Sequence, residues 1–146
     1  MIAYDELTEL QDARNKLLGQ AEFLIQTKGW HLGSGKGIFG NLCAIAALVT
    51  ASLQTNGGNS RDDWESPLGQ AIASVRHAIP LVDPEMAETP VDEICIPNWN
   101  DDLPWFGGRK RVVAAFRKAA ELPLIFREPK PKPGETATAV LSDMKV

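Results

Sequence analysis

The side chains best suited to chemistry in this chain are Cys43, His31 and His77. A cysteine near a helix start gains thiolate character from the helix dipole. A histidine to accept its proton, with Asn98 or Asp101 to orient that histidine, would complete a nucleophilic set for acyl transfer or hydrolysis. The residue types are present but widely separated, and no spacing brings an imidazole to Cys43. Leu42 and Ala44 flank the thiol, the setting of a small packed hydrophobe. A Cys/His-dependent hydrolase or transferase is therefore the alternative reading, and the leading one is non-enzymatic. The two Cys and two His also lack the close pairing of structural zinc ligands, so no metal is expected. Gly33-Ser34-Gly35-Lys36 resembles a fragment of a phosphate loop. Trp30 stands where the first glycine of that motif belongs, and Gly37 replaces the hydroxyl that would hold magnesium. No cofactor is expected from it.

Two further clusters point to binding. Arg109, Lys110 and Arg111 open a helical segment that continues through Arg117 and Lys118. Cations at a helix N-terminus oppose the macrodipole, so they suit an acidic partner or the nearby Asp101 and Asp102. A nucleic-acid-binding accessory role is a second alternative on this ground. The stretch Ile96-Pro97-Asn98-Trp99-Asn100-Asp101-Asp102 mixes short polar side chains with a large aromatic. It reads as a loop in which Asn and Asp side chains fix a turn and cap the following helix. Trp99 fills the core there, while Trp64, Trp105 and Phe106 read as exposed anchors for a partner. Trp99, Asn100, Asp101, Trp105, Phe106, Arg109, Lys110 and Arg111 are the candidate binding residues.

Helices must position these groups. Leu7, Leu10, Leu17, Ala21, Leu24 and Ile25 form one stripe of a helix from about Asp5 to Lys28, stopped by Gly29. Asn41 is a plausible cap for an all-apolar helix, Leu42 to about Gln54, which should be the most buried element. Ser66-Pro67 opens a third helix, with Leu68, Ile72, Val75 and Ile79 inward and an end near Pro80. Residues 91–95 suit one short turn. Val112, Val113, Phe116 and Ala120 give the inner face of a last helix, about Arg109 to Leu122. Leu124 to Phe126 suits a short extended piece. The expected fold is all-α: a small irregular bundle of about four helices with long loops and an extended C-terminal tail. Residues 1–127 form the helical domain, and 128–146 a Pro/Lys linker and tail.

With 146 residues, 44% of them hydrophobic, the chain suits one domain with a real core. The net charge of −4 gives no long-range attraction to nucleic acid or anionic lipid. The longest apolar run, Leu42 to Leu53, falls well short of the roughly 20 residues that span a bilayer. The first residues lack the basic and apolar regions of a secretion signal. The expectation is a cytoplasmic protein without membrane contact, with both thiols reduced and buried.

Gly29-Trp30, Cys43-Ala44-Ile45-Ala46-Ala47 and Trp99-Asn100-Asp101 before an Ala-rich amphipathic helix complete a recognisable pattern. The chain resembles, over about residues 15–121, a family of small proteins of actinobacteria and their phages with no assigned activity. The family often shows Cys, two residues, then Gly-Ala, where this chain has Ala46. The resemblance implies no catalytic residue. A phage origin would imply an accessory protein acting on a host protein in the host cytoplasm. The function expected is protein–protein binding, with a homodimer through the tail as a further expectation.

Overall fold

The computed structural model describes residues 4–32, 42–58, 61 and 63–126. Five α-helices are ordered along these residues: α1 (Tyr4–Lys28), α2 (Ala44–Thr55), α3 (Pro67–Val82), α4 (Ile96–Asp102) and α5 (Gly108–Glu121). Two 3-10 turns, Pro84–Met86 and Val91–Glu93, link α3 to α4. The described residues are all-helical apart from one isolated bridge, Trp30 to Leu42. The bundle has one helix more than expected, because the Trp99 segment is a helix and not a loop. Pro97 in its first turn sets a helical φ, and the Trp99 N–H donates to the Cys95 carbonyl at 2.9 Å. The linker and tail from residue 128, and the dimer contact assigned to them, lie outside the described residues, as does the Gly33–Gly37 motif.

α2 forms the centre. Ala44 through Val49, Ala51 and Ser52 are all buried, as an all-apolar helix requires. It packs on α1 and α3, and α5 closes the bundle against the same two helices. The α1 stripe is buried at Leu10, Leu17, Leu18, Ala21, Leu24 and Ile25, while Leu7 is only partly covered. Cys43 caps α2, its Sγ accepting the Ala46 N–H at 3.4 Å; Asn41, the expected cap, lies outside the described residues. Ser66 caps α3 through the Gly69 N–H at 3.0 Å. Pro80 does not end that helix, which runs one half-turn further to Val82. α5 is capped by Gly107 in the left-handed conformation (φ 90°), so Asn98, Asn100 and Asp101 do not perform that task.

Buried polar side chains fasten the ends. Arg14 is fully buried in α1, and all five of its N–H donors find acceptors. They reach Asn15 Oδ1, Ser74 Oγ and the carbonyls of Ala120, Leu122 and Pro123, at 2.7–3.4 Å. The guanidinium thus caps the C-terminal end of α5, where the macrodipole favours a cation. Burial holds its pKa below the usual arginine value. Gln70, also fully buried, donates to the Ile125 carbonyl at 2.7 Å and accepts the Ile125 N–H at 2.9 Å. That pair of bonds lays the Leu124–Phe126 piece along α3 in place of a strand partner. Trp64 is half-buried, not exposed, and its carbonyl accepts from the same Gln70 amide at 2.8 Å. Among the described residues no helix is long and apolar enough to cross a membrane.

Candidate functional site

The α1–α2 connection closes through backbone bonds of the Trp30–Leu42 bridge. The His31 N–H donates to the Leu42 carbonyl at 3.0 Å, and the Leu42 N–H to the Gly29 carbonyl at 2.9 Å. Asn100, fully buried on α4, completes this junction. Its Oδ1 accepts from Trp30 Nε1 at 2.8 Å and from the Ala44 N–H at 3.0 Å. Its Nδ2 donates to the His31 carbonyl at 3.1 Å. The fold therefore gathers Cys43, His31 and Asn100 in one neighbourhood, which the sequence spacing did not suggest. The carboxamide there is engaged by an indole and two backbone groups. Cys43 is buried, with its sulfur on the Ala46 amide. His77 sits apart on α3, in the wall of a cavity of about 510 Å³ shared with Leu81, Pro90 and Pro123. Cys43 and Cys95 are both buried and not joined to each other. No metal-binding group of His, Cys, Asp and Glu occurs among the described residues.

Trp99 makes the second tie. Its Nε1 donates to Asp83 Oδ2 at 2.8 Å. Asp83 is buried at the end of α3, and its Oδ1 accepts from the Glu85 N–H at 3.0 Å and from Arg111 at 2.6 Å. A buried carboxylate needs this degree of pairing. Arg111 is thereby turned inward and neutralised by Asp83, not by Asp101 or Asp102. Sequence reasoning did not single out Asp83; the Asp83-Pro84 pair, a cap residue before a first-turn proline, was its available signal. Trp99 and Asn100 both lie inside the molecule, so outward contact falls to the residues around them. Asp101 is exposed.

Between α4 and α5 the chain makes a short turn. Leu103 is buried at its start, and Gly108 lies beneath the Trp30 ring at its end. Between these anchors Trp105 is 70% and Phe106 87% exposed. Arg109 and Lys110 follow at once on the first turn of α5, both exposed. They form one end of a groove of about 490 Å³ along α5, with Val82, Val113 and Ala114 in its lining and Lys118 and Glu121 toward the other end. Arg117 lines it too, but is held by Glu22 through bonds of 2.6 and 3.2 Å, which raise its pKa. No ion pair among the described residues reaches Arg109, Lys110 or Lys118.

Comparison with curated proteins and with solved structures found no match. Residues 11–122 match a family model across the bundle, from the second turn of α1 to the end of α5, including Trp30, Asn100 and both aromatics of the turn. The chain belongs to the family of unknown function DUF6197.

Proposed function

We propose that this protein acts by binding another protein through the Trp105–Phe106 turn. The observation that carries this reading is the pair of large aromatics, adjacent and solvent-facing, on a turn anchored at both ends by buried groups. Folding gains little from exposing such side chains, and rigid aromatics are the residue types that dominate binding energy at protein interfaces. Trp99 and Asn100, two of the expected binding residues, are engaged in holding the chain together.

The resemblance to actinobacterial and phage proteins makes an actinobacterial lysate the source of candidate partners, with a host protein as the target. Immobilised protein should retain at least one polypeptide that a Trp105→Ser/Phe106→Ser variant loses. The variant's melting temperature should stay close to that of the parent, since neither side chain is buried. Identical retention by the two proteins would remove the turn from any binding role.

A further inference from the structure

We infer that the groove along α5 seats an acidic amphipathic helix of the partner, an inference that rests on the binding role of the adjoining turn. Three observations select this occupant. The groove carries cations at both ends, Arg109 and Lys110 at one and Lys118, beside Glu121, at the other, none of them ion-paired among the described residues, on a chain whose net charge is −4. The positive strip is thus a local feature set against the acidic whole, and two of its charges oppose the dipole of their own helix. Carboxylates of a partner would neutralise both.

The groove is also lined by apolar groups, Val82, Val113 and Ala114. Residues 110, 114 and 118 follow one another at the spacing of a single helix face, so charge, apolar surface and charge alternate along it. Arg109 to Glu121 spans about 18 Å at 1.5 Å per residue, room for roughly three turns of a docked helix. Apolar side chains of such a helix have a seat here, whereas a phosphodiester backbone uses only the cations. Finally, the groove begins where the Trp105–Phe106 turn ends, so one extended partner segment could engage both.

The test is fluorescence anisotropy with a labelled helical peptide of about four turns, glutamate on one face and leucine on the other. The other arms are a scrambled peptide of the same composition and a labelled single-stranded oligodeoxynucleotide. The helical peptide should bind best. Arg109→Glu/Lys110→Glu/Lys118→Glu should weaken it by at least about tenfold. Ala114→Arg, which adds positive charge but fills the floor, should weaken it too. Circular dichroism would check that each variant keeps its helix content.

Equal binding of the scrambled peptide, or tighter binding by Ala114→Arg, would overturn the seat in favour of a diffuse charge effect. Oligodeoxynucleotide binding as tight as the peptide's would overturn it in favour of nucleic acid. Peptide binding that fails while lysate retention still depends on Trp105 and Phe106 would overturn the groove alone. Peptide binding that succeeds while retention ignores those aromatics would overturn the turn's role and, with it, the combined site.

Discussion

Asn100 shows how much one uncharged side chain can organise. It satisfies an indole N–H, a helix-end amide and a backbone carbonyl, all from a position with no solvent contact. Removing it would take this partner from three polar groups, two of them in buried bonds, at about 1–3 kcal/mol for each left buried without another. Asn100→Ala should therefore lower unfolding free energy by about 3 kcal/mol or more, read from urea denaturation with the slope unchanged. A loss below about 1 kcal/mol would show that the three groups find other partners. The sequence makes Asn100 conspicuous but misdirects its role. Short polar side chains beside a Trp suggest local turn bonds, whereas these bonds join residues 56 to 70 positions apart. Local rules have no access to such separations. Trp105 and Phe106 were legible for the opposite reason, since polar and proline neighbours leave a short turn nothing to bury them against.

Periodicity marks an element when it runs for several turns, and α1, α3 and α5 were readable on that ground. α4 has seven residues, too few for a face to repeat, and its asparagines and aspartates resemble loop composition. α2 starts at Ala44 instead of Leu42 because the Cys43 thiol accepts an amide as a cap, a weaker signal than a carboxamide. Close approach of α5 to the α1–α2 junction is set by Gly108, where an added methyl would enter the Trp30 ring. That ring is buried and its nitrogen is fixed on Asn100, so it has little room to yield. Gly19, by contrast, lies within α1 with open space around it. Gly19→Ala should stabilise by about 0.5–1 kcal/mol through helix propensity, while Gly108→Ala should destabilise by about 1–3 kcal/mol through overpacking. Thermal melts of the two variants should move in opposite directions. Similar shifts would mean that the ring moves aside freely.

At the scale of the molecule, burial and the neighbouring Arg76 hold the His77 imidazole below its usual value of 6.5. The unfolded chain then takes up this proton at a higher pH than the folded one. The contribution is complete above 6.5 and is lost as pH falls from there through the folded value. Acidification through that window should lower the melting temperature, and His77→Gln should flatten the dependence; an unchanged slope would assign it to other groups. The all-helical class and single core were readable from composition and patterning, but the fastening of the C-terminal end of α5 to α1 by Arg14 was not. That guanidinium takes its acceptors from positions 106 to 109 residues downstream. During synthesis, Arg14 emerges from the ribosome long before those carbonyls exist, so its guanidinium and the part of the first helix that faces α5 must wait uncovered after α2 has packed. A nascent chain halted before residue 120 should bind chaperones and be cut readily by protease, and release from both should come only once the last helix has cleared the exit tunnel.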